Sequence, residues 1–208
     1  MLIIGITGGV GAGKSSVLQY MEENYRCRVI LADNVGNQVK LPGEICYNQL
    51  VELLGSDILD EDGYIDRNRM ATAIFSDKEL LEKVNSIIHP AVKTYILTEI
   101  DKEKESGKYD FFFVEAALLI ECGYETHVDE MWYIYAPEDV RRERLKINRG
   151  YSDEKVSQIM NGQLKDEEFK KHCQVIIDNG SDMNDTKKQI DKILGDRLWK
   201  IQENFRDN

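Results

Sequence analysis

The segment Gly8-Gly9-Val10-Gly11-Ala12-Gly13-Lys14-Ser15 constrains the fold of this chain more than any other. It fits G-x-x-x-x-G-K-[ST] in full and stands between an apolar run, Leu2–Thr7, and a stretch of helical spacing, Lys14–Asn24. In that stretch Val17, Leu18 and Met21 share one face. A glycine-rich turn from strand to helix is suited to wrapping a phosphate chain. Phosphate oxygens need several backbone N–H groups converging on them, with no side chains in the way. Glycines at 8, 9, 11 and 13 permit that approach, and the helix starting near Lys14 directs its unpaired N–H groups at the anion. Lys14 is expected to reach the β- and γ-phosphates, and the Ser15 hydroxyl to bind Mg²⁺. The loop names the nucleotide but not the acceptor.

Five short apolar runs read as strands: Leu2–Thr7, Arg28–Leu31, Phe111–Val114, Met131–Tyr135 and Gln174–Asp178. Their apolarity is continuous, not alternating, which points to strands buried on both faces and hence a parallel sheet covered by helices. Helical segments are expected at Gly43–Leu54, at Asp77–Lys104 with an end or kink at Pro90, at Pro137–Arg149, and at Asn184–Asn204. In the last of these, Ile190, Ile193, Leu194 and Leu198 recur at helical spacing. Roughly 80 residues separate the second run from the third, more than a crossover helix requires. The reading is an α/β chain of one compact unit. Its core takes about residues 1–35, 108–137 and 172–208, a helical insert about 36–107, and a lid about 138–171.

The net charge of −11 argues against sequence-independent nucleic-acid binding, which needs a surplus of basic side chains. Against that background Arg141, Arg142, Arg144, Lys146 and Arg149 crowd into nine residues, a local patch suited to a small polyanion. The four cysteines show no C-x-x-C spacing, so they are read as reduced thiols of a cytoplasmic protein. Met1–Ile6 is apolar but too short, and without a basic lead, to be a signal peptide or membrane span.

Two acids stand at carboxyl ends of strands, where ligands bind in open α/β sheets. Asp33 follows the second run and is either an acceptor's base, a holder of the metal's water, or a helix N-cap. Glu115 follows the third run and is placed to hold magnesium's water shell or orient the acceptor, if it is not a solvated loop acid. Of the arginines, two are taken as stabilising phosphoryl charge and the rest as a solvated helix face paired with Glu138, Asp139 and Glu143. His89 reads most simply as structural, and Trp132 and Trp199 as packing residues.

Over essentially its whole length the sequence resembles the dephospho-CoA kinase family. The shared features are Thr7–Ser15, the Leu31-Ala32-Asp33 counterpart of D-A-D, and His89-Pro90. Ala117-Leu118-Leu119-Ile120-Glu121 stands where the family has P-L-L-x-E. Pro137-Glu138, Arg144-Leu145, Arg149, a distant Gln163 and Ile176-Ile177-Asp178-Asn179-Gly180 follow in order. The resemblance implies a P-loop NTPase fold, with a five-stranded parallel sheet, a helical CoA-binding part and a lid. It further implies ATP on Gly8–Ser16, Mg²⁺ on Ser15, and Asp33 as base for the ribose 3′-hydroxyl of dephospho-CoA. Arg144 and Arg149 would be lid arginines on the phosphates, and Asn179 and Gly180 would lie near adenine. His89, with Glu115 and Leu118, would serve the substrate. The chain departs from the family at Leu31, Ala117 and His172-Cys173, and in the longer spacing from Arg144 to Arg149. Leu31 matters most, because it removes a carboxylate two residues before the candidate base.

The expected activity is ATP-dependent phosphorylation of dephospho-CoA by a cytoplasmic monomer or weak homo-oligomer, with no nucleic acid or membrane as partner. The alternatives are a kinase for a nucleoside monophosphate or another small hydroxyl acceptor, and a nucleotide-binding paralogue without catalysis. A guanine-specific switch is disfavoured, since no N-K-x-D occurs.

Overall fold

A computed structural model describes residues 1–75 and 77–204, and in it the apolar runs form one all-parallel sheet in the order β2-β3-β1-β4-β5. The strands are β1 (Leu2–Thr7), β2 (Cys27–Leu31), β3 (Phe111–Glu115), β4 (Glu130–Tyr135) and β5 (Val175–Asp178). The helices are α1 (Lys14–Asn24), α2 (Ala32–Gln38), α3 (Tyr47–Leu54), α4 (Arg67–Ile74), α5 (Lys78–Ser106), α6 (Glu138–Arg149), α7 (Asp153–Asn161), α8 (Asp166–His172) and α9 (Met183–Asn204). The chain divides into two compact units: Met1–Val29 with the chain from Glu103 on, and Ile30–Lys102.

In the first unit β1 lies between β3 and β4, in register Leu2↔Phe111 to Ile6↔Glu115 on one side and Ile4↔Glu130 to Thr7↔Tyr133 on the other. Continuous apolarity marks the three central strands, as the sequence suggests. Ile3, Ile4, Ile6, Phe111 to Val114 and Met131 to Ile134 are all buried. The two outer strands differ from that expectation: Arg28 on β2 and Ile176 and Asp178 on β5 are exposed. An edge strand has a neighbour on one side only, so part of its surface meets water.

Aromatic side chains fill the middle of the core. Phe113 stacks on Phe111 with ring centroids 6.0 Å apart and meets the edge of Trp132 at 6.3 Å. On α1 the buried residues are Val17, Leu18 and Met21, and on α9 Ile190 and Leu194, both sets lying on the faces that helical spacing selects. Trp132 is buried, in keeping with a packing role, whereas Trp199 is 60% exposed and has no such role in this chain.

The second unit holds the region read as helical, with two corrections. The helix placed at Gly43–Leu54 begins only at Tyr47, because Gly43 adopts φ +88° and cannot continue a right-handed helix. In its place come turns, with Glu44 N–H donating to Leu41 O and Tyr47 N–H to Glu44 O. The helix expected to end or kink at Pro90 does not end there and continues from Lys78 to Ser106. Pro90 and Ser86 are both exposed, so water can satisfy the Ser86 carbonyl that lacks a proline N–H donor. The buried stripe Val84, Val92, Ile96 and Ile100 lies on a different side of that helix. The short helix α4 was not apparent from apolar spacing; its signal is Asp66, whose carboxylate caps it by accepting from Arg69 N–H at 2.7 Å.

Deleting a central aromatic tests this core. Phe113→Ala is expected to cost about 3–5 kcal/mol, read as a lowered urea midpoint by circular dichroism; an unchanged midpoint would show that Phe113 does not hold the sheet together.

Candidate functional site

The turn after β1 is shaped by how closely its backbone is approached. Gly8, Gly11 and Gly13 have φ of 151°, 81° and 89°. A side-chain carbon at Gly8 would lie 2.5 Å from the Ile134 carbonyl oxygen, and one at Gly13 would lie 2.3 Å from Asn179 Nδ2. Glycine is therefore required at both positions by conformation and by space. The loop ends on α1, whose first residue is Lys14 and which has no side-chain cap, so no side chain takes up its leading N–H groups.

Lys14 is drawn back over this loop. Its ammonium donates to Gly8 O at 2.8 Å and stands 3.5 Å from Glu115 Oε1, at the end of β3. Both side chains are about 15% exposed, the lysine at 14% and the glutamate at 15%. The register of β1 and β3 sets Glu115 beside Ile6, which places the acid next to the loop. Ser15 and Ser16 follow on α1 with exposed side chains.

A second group closes the loop's other flank. The buried amide of Asn179, just after β5, donates from Nδ2 to Ala12 O at 2.7 Å and accepts from the Thr186 hydroxyl at 3.0 Å. Arg144 on α6 donates from Nη2 to Asn179 O at 2.8 Å and from Nη1 to Ala12 O at 3.4 Å. Gly180 packs on Pro137, where a side-chain carbon would meet the proline ring at 2.5 Å. Arg144, Asn179 and Gly180, singled out from the sequence, are thus gathered at one flank of the loop.

Two residues that sequence reasoning left without a role also reach it. Arg141, one turn before Arg144, lays its guanidinium on Gly9, where an added carbon would lie 2.0 Å from Nη1. It pairs with Asp166 at 3.7 Å, and its Nε is buried without a hydrogen-bond partner among the described residues. Asp166 in turn accepts from the Tyr133 hydroxyl at 2.7 Å, and burial followed by this bond pushes the phenol's pKa up, so it stays a donor. Gln163 accepts from Val10 N–H at 2.9 Å. The sequence signals for these contacts were the crowding of basic residues after Pro137, for Arg141, and the family glutamine at Gln163, which carried no assigned role.

Other candidates lie elsewhere. Arg149, the last residue of α6, is exposed. Leu118 is 48% exposed on the turn after β3. In the second unit, Asp33 is exposed in the first turn of α2, directly after β2, and His89 is exposed on α5. The N-cap of α2 is Leu31, which makes no side-chain cap bond, so the capping role considered for Asp33 does not apply. The four cysteines are unbridged, and burial pushes the thiols of Cys27 and Cys173 up to about 12, which leaves both protonated and unreactive.

The arrangement is chemically suited to a chain of phosphates: backbone donors at a helix start, a lysine beside a carboxylate, and arginines along one flank. The family model described as dephospho-CoA kinase matches residues 2–185. The dephospho-CoA kinase of Carboxydothermus hydrogenoformans is 35% identical over 198 residues, which cover 95% of this chain and 95% of that one. The dephospho-CoA kinase of Aquifex aeolicus is 36% identical over 191 residues, covering 91% and 94%. A crystal structure from Thermus thermophilus superposes with a TM-score of 0.79 at 26% identity, over 94% of this chain and 97% of that one. Shikimate kinase from Acinetobacter baumannii shares the fold alone, with a TM-score of 0.50 at 14% identity over 95% and 96% of the two chains.

The buried amide between loop and β5 gives a direct test of the flank. Asn179→Ala is expected to cost about 1–3 kcal/mol, because the Ala12 carbonyl and Thr186 hydroxyl both lose a partner. The melting temperature should fall and nucleotide affinity with it; a variant as stable and as tight-binding as the parent would remove Asn179 from the site.

Proposed function

Because this chain belongs to the dephospho-CoA kinase family, we propose that it transfers the γ-phosphoryl group of ATP to the ribose 3′-hydroxyl of dephospho-CoA, giving coenzyme A and ADP. The observation that carries the phosphoryl-transfer half is Lys14, held between Gly8 O and Glu115 at the end of β1 and β3. The acceptor half rests on the family, whose match runs through both compact units.

The roles follow from chemistry and placement. Gly8 to Ser16 would cradle the phosphates, with Lys14 on the β- and γ-oxygens. Arg144, already directed at the loop, would neutralise charge that builds on the phosphoryl group, and Asn179 and Gly180 would border the base of ATP. Arg149 would have to be recruited from the exposed end of α6. Asp33 would accept the proton of the 3′-hydroxyl as its oxygen attacks the γ-phosphorus and the bond to the β–γ bridging oxygen breaks. Its support is its exposure and its place just past a strand's carboxyl end. His89, Leu118 and Glu115 are assigned to the acceptor side, and the helical segment that includes His89 to dephospho-CoA binding.

The residues present suit Mg²⁺. The Ser15 hydroxyl is exposed on the first turn of α1 and Glu115 offers a carboxylate, both hard oxygen donors. Among the described residues no cluster of three or more His, Cys, Asp or Glu could hold a metal alone, and an ion that arrives on a nucleotide needs no such cage. Held by Ser15 and Glu115, Mg²⁺ would supply charge neutralisation for the phosphates. Among the described residues no helix is long and apolar enough to cross a membrane. A cytoplasmic location, and a monomer or weak homo-oligomer without nucleic acid, complete the proposal.

A coupled ADP-release assay with ATP and Mg²⁺, run with dephospho-CoA beside AMP, CMP and shikimate, tests the acceptor. Turnover with dephospho-CoA alone is expected. Turnover on one of the other acceptors instead would overturn the assignment, and ATP binding without any turnover would make the chain a non-catalytic relative. Lys14→Ala is expected to lower turnover sharply. Asp33→Asn is expected to lower it about 10²- to 10⁴-fold while ATP still binds, and normal turnover would remove Asp33 as the base.

A further inference from the structure

Gln163 stands on the short turn between α7 and α8, half-buried, with its side-chain carbonyl 2.9 Å from the N–H of Val10 at the tip of the phosphate loop. The contact joins residues 153 positions apart, so it reflects tertiary placement and not local chain geometry. The turn is held on two sides. Before it, Gln163 N–H donates to Met160 O at 3.2 Å. After it, α8 is fixed to β4: Phe169 stacks flat on Tyr133 with ring centroids 4.8 Å apart, and the Tyr133 hydroxyl donates to Asp166 at 2.7 Å. Asp166 also faces Arg141, whose guanidinium rests on Gly9, the residue before Val10. The carbonyl of Gln163 is therefore presented to the loop from a braced support, and its placement does not depend on an unanchored side chain.

Val10 lies between two glycines in a loop whose curvature relies on glycine conformations at 8, 11 and 13. Such a segment has more backbone freedom to lose than any other of its length. A hydrogen bond at its tip selects one of its conformations before a ligand arrives, and binding then costs less ordering entropy. We propose that Gln163 is a positioning residue for the phosphate loop, its side-chain carbonyl fixing Val10 N–H so that the loop is already shaped to receive a triphosphate. The inference rests on the reading of this loop as the ATP site. It acts on nucleotide binding and leaves the acceptor untouched.

Calorimetry of ATP binding without dephospho-CoA tests it, using the parent chain, Gln163→Met, Val10→Pro and the double variant. Gln163→Met removes the acceptor at similar volume, and Val10→Pro removes the donor. Each single change is expected to weaken ATP binding about tenfold, and the double variant to bind no more weakly than the weaker single. In steady state the KM for ATP should rise in Gln163→Met while the KM for dephospho-CoA and kcat at saturating ATP stay level. Unchanged affinity in a folded Gln163→Met, or fully multiplicative losses in the double variant, would overturn the proposal. Slow exchange of the Val10 amide in the ligand-free parent chain, followed by NMR, is expected; exchange at the rate of an unstructured amide would overturn it even if the variants do not fold. A parent chain that binds no ATP would instead sink the functional reading, which keeps the two failures apart.

Discussion

The close approach of neighbouring groups to the Gly8–Gly13 backbone is the constraint on which the rest of the site depends. The Ile134 carbonyl, the Arg141 guanidinium and main chain, and the Asn179 amide occupy the space where side chains at Gly8, Gly9, Gly11 and Gly13 would project. These neighbours come from β4, α6 and the end of β5, so three elements are packed against one turn. A phosphate-binding loop must leave its N–H groups unobstructed on one side, and here the other side is filled by the protein. The pairing of β1 with β4, Thr7 opposite Tyr133, brings Ile134 to the loop. The pairing of β4 with β5, Tyr135 opposite Asp178, brings Asn179 to it. Strand register thus sets the site's geometry before any ligand contributes.

The same packing explains what could be read in advance and what could not. Buried parallel strands have few ways to vary their composition, so Leu2–Thr7, Phe111–Glu115 and Glu130–Tyr135 stand out as apolar runs. The glycine loop is legible because both its conformation and its lack of space exclude other residues. Short helices such as α2, α7 and α8 carry few apolar positions, and their stability comes from caps and tertiary contacts that spacing does not reveal. Ser152 caps α7 by accepting from Lys155 N–H, a signal visible only once the helix is placed.

The arginines show the limit most clearly. Arg141, Arg142, Arg144 and Arg149 lie on one short helix, and composition alone does not rank them. Arg142 pairs with Glu138 at 2.8 Å and reaches Ser157, as a solvated helix face would, while Arg141 and Arg144 face the loop and Arg149 is exposed. Helical geometry explains the pairing of Arg141 with Arg144, which are three residues apart and on one face. Which face meets the loop is set by tertiary placement, information that is absent from the helix.

Leu31 is a local departure with a local meaning. A carboxylate at that position would sit at the N-cap of α2, where short polar side chains satisfy the helix's first N–H groups, and leucine cannot do this. The cost falls on the turn that carries Asp33, two residues on, and not on the phosphate loop. Loosening that turn would blur the position of the proposed proton acceptor while leaving nucleotide binding alone, because positioning a base within hydrogen-bond reach is a demand on geometry first and pKa second. The two halves of the chemistry are thus unequally secured. The nucleotide loop is fixed by close backbone packing that tolerates no side chain, whereas the proposed base stands on a short helix without its cap.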